Sequence, residues 1–156
     1  MKNILEEIAA RTRERIAKEK SCISVSELEN RIQEVNKNAG KRITFLQALQ
    51  KDGMSYICEV KKASPSKGLI APDFPYLAIA KEYEQAGASA ISCLTEPFYF
   101  QGADQYLREI AATVQIPVLR KDFTVDEYMI YQAKSLGASA VLLLSLIHIS
   151  EPTRLG

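Results

Sequence analysis

The first third of the chain places isolated apolar residues at helical spacing among many charged ones. A first helix is predicted over 4–20 from an apolar stripe formed by Ile4, Ile8 and Ile16. Ser26 and Glu29 form a capping-box pattern that predicts the start of a second helix. Three apolar residues support this helix by their helical spacing, namely Leu28, Ile32 and Val35. A third, short helix is predicted over 44–49, so we expect this part of the chain to be helical before any strand begins.

From about Ser55 the pattern changes to short apolar runs that alternate with helical segments. Strands are predicted over 56–60, 90–94, 117–120 and 140–144. Helices are predicted over 75–85 and 104–114, and a further one is predicted to be capped by Thr124 with Glu127. Two of these helices end in related strings, Gly-Ala-Ser-Ala-Ile at 87–91 and Gly-Ala-Ser-Ala-Val at 137–141, in which the glycine supplies a left-handed cap. The alternation predicts βα units and a parallel sheet.

The predicted strands begin at residues 56, 90, 117 and 140, which gives intervals of 34, 27 and 23 residues. This is the unit length of a (β/α)₈ barrel, which takes about 250 residues for eight units. A chain of 156 residues holds about half of such a barrel. An open, flavodoxin-like sheet fits the length better, and the spacing alone does not separate the two folds.

The charge balance argues against a partner that is a polyanion. The chain has 20 Lys and Arg residues against 19 Asp and Glu, for a net charge of +1, so the basic excess needed to bind nucleic acid is missing. The sequence has no apolar run near the 18–20 residues, roughly, of a membrane span. The segment Met1–Glu7 carries acids where a signal peptide needs apolar residues. We therefore expect a cytoplasmic protein that binds neither nucleic acid nor membrane.

Cysteine and histidine usage narrows the chemistry further. Cys22, Cys58 and Cys93 form no CxxC pair and no metal-ligand spacing, so we expect reduced and mostly buried thiols. The single histidine, His148, lies in a tail that does not continue the βα rhythm, and we interpret it as inert. Proton chemistry must therefore fall to Lys, Glu, Asp or Tyr, and no metal site is predicted.

Three charged residues lie at predicted strand ends. Glu59 and Lys61 are two positions apart and so point to the same face of one strand, and Lys121 ends the third strand in the same way. On a buried parallel strand, these side chains would share the C-terminal mouth of a barrel, where barrel active sites lie. An exposed ion pair at a strand end is the alternative that the pattern leaves open. The position of Glu59 inside an apolar run favours a site, because an unpaired buried carboxylate is costly.

Two loops after predicted strands are further candidates. The string Ser-Pro-Ser-Lys-Gly at 64–68 suits an anion-binding lid, although these are also ordinary loop residues. The aromatic residues Phe98, Tyr99 and Phe100 follow the second strand and suit an apolar wall for an aromatic ligand. Packing over the rim is at least as good an interpretation for Tyr99.

The string Cys-Glu-Val-Lys-Lys-Ala-Ser-Pro-Ser-Lys-Gly at 58–68 closely resembles the strand-one motif of the indole-3-glycerol phosphate synthase family, which are (β/α)₈ TIM barrels. Further strings of that family follow in order: Leu-Thr-Glu at 94–96, Phe-Gln-Gly at 100–102, Ile-Pro-Val-Leu-Arg-Lys-Asp-Phe at 116–123, and Gly-Ala at 137–138. The helical segment 1–50 is similar to the family's N-terminal extension. The resemblance covers residues 1 to about 144.

The resemblance implies an α/β barrel enzyme of tryptophan biosynthesis, a lyase that acts on a small phosphosugar without a cofactor. Such enzymes convert 1-(2-carboxyphenylamino)-1-deoxyribulose 5-phosphate to indole-3-glycerol phosphate, CO₂ and water. The resemblance makes Lys121 the general acid, Glu59 a polar catalytic partner, and Lys61 a contact for substrate and phosphate. The implied substrate-binding residues are Ser64, Phe100, Phe123 and Leu142. A related barrel, phosphoribosylanthranilate isomerase, is disfavoured because it relies on a different Cys/Asp pair.

The sequence departs from the family in two ways. Ala103 stands where a serine commonly follows the glycine, and the family's later catalytic glutamate, asparagine and glycine-rich phosphate site are missing. We expect the first four βα units over 51–144 and an artefactual, non-family tail over 145–156. A chain of this kind is expected to be a poorly active fragment. The alternative is a non-catalytic half-barrel module that self-associates through its open sheet edge.

Overall fold

The computed structural model describes residues 3–38, 40 and 42–143. The helices are α1 (Ile4–Cys22), α2 (Val25–Asn38), α3 (Phe45–Leu49), α4 (Tyr76–Gln85), α5 (Asp104–Thr113) and α6 (Tyr128–Ser135). The strands are β1 (Ile57–Val60), β2 (Ala63–Ser64), β3 (Gly68–Leu69), β4 (Ala90–Leu94), β5 (Val118–Lys121) and β6 (Ala140–Val141). No helix in this part of the chain is long and apolar enough to cross a membrane.

The main sheet has the strand order β1-β4-β5-β6, and every neighbouring pair is parallel. The strands β2 and β3 form a separate antiparallel hairpin directly after β1. In a (β/α)₈ barrel, consecutive strands of the chain pair with one another, as they do here. In a flavodoxin-like sheet, the strand order reverses at one point within the sheet. The prediction of barrel units is confirmed, and the flavodoxin-like alternative is wrong.

The hydrophobic core fills the space between one face of the sheet and the helices α4, α5 and α6. Its strand residues are Val60, Ile91, Cys93 and Val118, which pack against helix residues such as Leu107 and Ile110. Successive side chains of a strand point to opposite faces. The positions that alternate with these core residues, among them Glu59 and Lys121, therefore lie on the other face of the sheet.

Two predicted helix caps are wrong. Helix α2 begins at Val25, and the Ser24 hydroxyl, not that of Ser26, accepts a hydrogen bond from the backbone N–H of Glu27 at 3.1 Å. Ser26 is left inside the first turn. At α6 the carboxylate of Asp126 accepts from the N–H of Tyr128 at 2.8 Å, and Thr124 with Glu127 forms no capping box. At α6 the Asp126 carboxylate reaches an N–H only two positions ahead, whereas at α2 the two serines span equal distances and the start of the helix at Val25 selects Ser24.

Two further predictions need correction. Ile4 does not complete the apolar stripe of α1, because it is 45% exposed while Ile8 and Ile16 are buried. The fourth main-sheet strand is shorter than predicted, since β6 ends at Val141 and Leu142–Leu143 follow it as irregular chain. Leu144, His148 and the rest of the predicted tail lie outside the described residues.

Candidate active site

Glu59 is the centre of a cluster of charged side chains at the carboxyl end of the sheet. Its Oε2 atom lies 2.5 Å from Lys121 Nζ, and its Oε1 atom lies 3.1 Å from Lys61 Nζ. Ser92, the register partner of Glu59 on β4, donates a hydrogen bond to Oε2 at 3.4 Å. One carboxylate thus joins β1, β4 and β5, and the structure brings together the three residues that the strand-end pattern selects.

The three charged side chains are neither deeply buried nor free in solvent. The exposed fraction is 25% for Glu59, 33% for Lys61 and 38% for Lys121. Burial by itself would raise the pKa of Glu59, but the hydrogen bonds and positive charges of Lys121 and Lys61 outweigh it and leave the pKa below its ordinary value. Glu59 is therefore an ionised acceptor at neutral pH, with two ammonium groups beside it.

The loop after β1 folds back as the β2–β3 hairpin. Ser64 is buried, and its hydroxyl accepts a hydrogen bond from the backbone N–H of Lys67 at 3.2 Å. Glycine at position 68 has a φ of +63°, in the left-handed region that allows this tight return. Ser64 therefore lies four residues past the end of β1, close in sequence to Glu59 and Lys61, with its hydroxyl held by its own loop.

The aromatic loop after β4 is organised by Glu96, a residue that is only 1% exposed. Its carboxylate accepts three backbone hydrogen bonds, from Phe98 at 2.9 Å, Tyr99 at 2.7 Å and Phe100 at 3.1 Å. The loop then returns against the end of β4 so closely that a Cβ on Gly102 would lie 2.5 Å from a strand carbonyl oxygen. Phe100 is half-buried in this loop, and Phe98 is exposed.

The two remaining predicted substrate residues follow β5 and β6. Phe123 is buried two residues past Lys121, and Leu142 is half-buried directly after β6, with its N–H donated to the carbonyl of Arg120 at 3.3 Å. Ser64, Phe100, Phe123 and Leu142 thus all follow the carboxyl ends of parallel strands. They lie at the same end of the sheet as the charged cluster, the end where barrel enzymes carry their active sites.

Helix α1 lies against the loops at this end of the sheet. Glu7 accepts a hydrogen bond from the Tyr99 hydroxyl at 2.5 Å, which raises the pKa of Tyr99 above its ordinary value. The guanidinium of Arg11 lies 5.5 Å from the centre of the Phe98 ring and 5.7 Å from that of Tyr99. Tyr99 therefore contacts the N-terminal helix, as the rim-packing interpretation expects.

Sequence reasoning missed Ser92 and the role of Glu96. The signal for Ser92 was its place in the middle of an apolar strand, where a hydroxyl needs a partner. For Glu96 it was a carboxylate two residues past a fully buried strand and before a proline, a position that demands several donors nearby. No group of three or more His, Cys, Asp or Glu side chains suited to a metal ion occurs within residues 3–38, 40 and 42–143.

Comparison with known proteins gives the family. A family model described as indole-3-glycerol phosphate synthase matches residues 5–153 of this chain. The chain belongs to the indole-3-glycerol phosphate synthase family. The match also includes part of the segment 145–156, so the predicted boundary of a non-family tail stays a prediction.

Curated relatives in this family are similar over nearly the whole chain. The indole-3-glycerol phosphate synthase of Ruminiclostridium cellulolyticum is 52% identical over 142 residues, which is 90% of this chain and 54% of the relative. That of Lacticaseibacillus paracasei is 49% identical over 97% of this chain and 57% of the relative. That of Endomicrobium trichonymphae is 50% identical over 92% and 55%. The chain spans about half the length of the curated relatives it matches.

Proposed function

We propose that this chain carries the first half of an indole-3-glycerol phosphate synthase site. The reaction closes a ring in 1-(2-carboxyphenylamino)-1-deoxyribulose 5-phosphate and releases CO₂ and one water to leave indole-3-glycerol phosphate. The observation that supports it best is the cluster in which Glu59 accepts from both Lys121 and Lys61 at the carboxyl end of the sheet. The family to which the chain belongs supplies the reaction.

Lys121 is the proposed general acid. An ammonium group carries three protons for hydrogen bonding, and one of them is directed to Glu59. Another proton can then pass to the ketone oxygen of the substrate as the ring carbon of the anthranilate attacks the carbonyl carbon. Proton donation by a positioned side chain at this step avoids a free alkoxide.

Glu59 and Lys61 are proposed to hold this arrangement. Glu59 orients the Lys121 ammonium and balances its charge, and it is itself held by Ser92. Lys61, at the end of the same strand, is proposed to contact the substrate and its phosphate. After CO₂ leaves, the hydroxyl formed at ring closure departs as water, a step that also needs a proton from a group close by.

The proposed contacts for the rest of the substrate come from the strand-end loops. Phe100, Phe123 and Leu142 would enclose the anthranilate ring, which buries apolar surface and fixes the ring against the carbonyl carbon. Ser64 would bind the substrate from the β2–β3 hairpin, exchanging the Lys67 N–H for a substrate group.

We propose that the 156 residues alone have little synthase activity. The cluster is partly exposed to solvent on the face of the sheet away from α4, α5 and α6, and the relatives are nearly twice as long. Water in a partly exposed site screens the charges that act on the substrate, and such a site has no second wall that would orient the substrate.

The test is a protein that joins residues 1–143 of this chain to the following portion of the Ruminiclostridium cellulolyticum synthase. Product formation is followed by the absorbance of the indole ring. We expect turnover by the joined protein and none above background by either portion alone. A folded joined protein without turnover would contradict the proposed function, and turnover by the 156-residue chain at the rate of the joined protein would contradict the proposal that it is poorly active.

A second candidate is a non-catalytic half-barrel that pairs with another copy of itself. It is favoured by large apolar side chains that are exposed beside the two outer strands of the sheet, including Ile57 at 46% and Leu143 at 66%. Unpaired strand edges of this kind invite association. Sedimentation of the 156-residue chain tests it, because a single dimeric species supports the module and a monomer at high concentration argues against it.

We also propose a cytoplasmic location. Cys22, Cys58 and Cys93 are all free thiols in the structure. Free thiols are the rule in reducing compartments and the exception in secreted proteins. Fractionation of cells that produce the protein would test this location.

A further inference from the structure

The two neighbours of Lys121 in sequence, an arginine and an aspartate, are both buried. Arg120 is 1% exposed and Asp122 is 2% exposed, although arginine and aspartate are rarely buried unless they are paired. The backbone between them is held as well, because the carbonyl of Lys121 accepts from the N–H of Thr95 at 3.1 Å. Lys121 is thus a half-buried residue between two fully buried ones, at a strand end that is otherwise fixed.

Arg120 is satisfied entirely within the layer between the sheet and the helices. Its Nε atom donates to the Thr95 hydroxyl at 3.0 Å, and Nη1 donates to the side chain of Gln132 at 2.7 Å. Its Nη2 atom lies 2.9 Å from a carboxylate oxygen of Asp104 and 3.5 Å from one of Asp122. The guanidinium therefore fixes β5 to the loop after β4 and to the helices on either side.

Asp122 connects this layer to the N-terminal helix. Its carboxylate accepts from the Thr95 hydroxyl at 2.7 Å and from the N–H of Phe123 at 2.8 Å. The same carboxylate accepts from Arg15 of α1, whose Nη2 atom lies 3.0 Å from Oδ1 and 2.9 Å from Oδ2. A single nitrogen of Arg15 bridges both oxygens across 107 residues of sequence.

We propose that Arg15 is a positioning residue for Lys121, acting through Asp122. The pairing of Arg15 with Asp122 fixes the end of β5 on the side opposite to the cluster, so that the Lys121 ammonium meets Glu59. The inference rests on the proposed function for one point, the catalytic role of Lys121. The contact itself is a property of this chain.

A second ion pair of α1 provides a control, because its loss tests whether attachment of the helix alone affects the position of Lys121. Lys20 lies 2.6 Å from Asp126, and both side chains are substantially exposed. This pair also joins α1 to the segment after β5, but Asp126 is four residues beyond Asp122, and among the described residues the pair makes no hydrogen bond to Thr95 or Arg120. Its loss weakens attachment of α1 without releasing Asp122.

The test uses the 156-residue chain with ¹³C-labelled glutamate, and it follows the carboxyl signal of Glu59 through an acid titration by NMR. We compare the wild-type chain with Arg15→Gln, Arg15→Lys and Lys20→Gln. In the wild type we expect a midpoint below the ordinary value of 4.5. Arg15→Gln should raise that midpoint toward 4.5, whereas Lys20→Gln should leave it in place.

Arg15→Lys serves as the conservative rescue. Because one nitrogen of Arg15 makes both contacts, a lysine ammonium can replace it and should restore most of the wild-type midpoint. The inference is overturned if Glu59 titrates identically in folded Arg15→Gln and wild type, or if Lys20→Gln raises the midpoint equally. If Arg15→Gln does not fold, Arg15→Met takes its place: a midpoint closer to 4.5 than in the wild type supports the inference, and a wild-type midpoint in that folded variant overturns it.

This measurement needs no substrate. A joined protein that folds without synthase activity would refute the proposed function and leave the titration to decide the positioning role. A synthase whose Arg15 variants titrate like the wild type would refute the positioning role alone.

Discussion

The replacement Glu96→Gln tests whether one buried carboxylate holds the aromatic loop after β4. The glutamine side chain has nearly the same shape, but one oxygen becomes an NH₂ group that can donate and cannot accept. In the best orientation the remaining oxygen keeps the place of Oε2 and accepts from Tyr99 and Phe100. The NH₂ group then faces the N–H of Phe98, which loses its acceptor.

The expected cost follows from these three bonds. The part-buried Phe98 N–H loses its acceptor, and an unsatisfied N–H of this kind costs about 1–3 kcal/mol. The two bonds that remain change from charged to neutral acceptors, which are roughly half as strong, for a further loss of about 1 kcal/mol. We therefore expect Glu96→Gln to lower the free energy of unfolding by about 2–4 kcal/mol.

The assay is urea unfolding of the 156-residue chain, with hydrogen exchange at the three loop amides measured alongside. We expect exchange to accelerate at Phe98, Tyr99 and Phe100 more than in the core of β4. The matched control is Glu82→Gln on the exposed surface of α4, which makes the same chemical change and should alter stability by less than about 0.5 kcal/mol. The reasoning is refuted if Glu96→Gln is as mild as the control, or if the three amides exchange at the wild-type rate.

Three other predictions follow from local geometry. Ala103 is the N-cap of α5, has an extended conformation and makes no side-chain hydrogen bond, so Ala103→Ser should raise the free energy of unfolding by about 1 kcal/mol in the same urea assay. The control Ala112→Ser, on the same helix, should lower the free energy of unfolding slightly. Because the pKa of Glu59 is lowered in the folded chain, its ionised form stabilises the fold above the ordinary pKa of 4.5, and this contribution is lost as the pH falls through the lower, folded value. The difference in free energy of unfolding between wild type and Glu59→Gln should therefore shrink on acidification, and a constant difference would contradict the pairing. Burial, with a smaller effect of the Asp104 carboxylate, raises the pKa of the Cys93 thiol to about 12, so iodoacetamide at pH 8 should label exposed Cys22 in the native chain and Cys93 only in urea, as read by mass spectrometry.

Much of the fold was predictable because it depends on short-range patterns. Strand alternation places Glu59 and Lys61 on one face, and the run of βα units places Lys121 at the same end of the sheet. The register of β1, β4 and β5 places Leu119 level with Glu59 and Lys121 two residues further on the same face, from which the long lysine side chain meets Glu59. Both steps need only the period of the strand and the parallel order.

The rest depends on contacts that no local pattern contains. The three N–H groups around Glu96 belong to an irregular turn that follows no helical or strand period, and Gln101, with a positive φ of 50°, comes directly after it. The pairing of Arg15 with Asp122 joins residues 107 positions apart. The wrong caps have a different cause, because Ser24 and Ser26 both fit a helix start and a small difference in local geometry selects one.

The central claim is that Lys121 supplies the proton for ring closure. The most direct measurement is kcat of the joined protein with Lys121→Met, compared with Lys81→Met on the exposed surface of α4. The account predicts a loss of about 10²–10⁴-fold for Lys121→Met, the usual contribution of a general acid, and a wild-type rate for Lys81→Met. A folded Lys121→Met protein that keeps kcat within a few-fold of the parent would contradict the account.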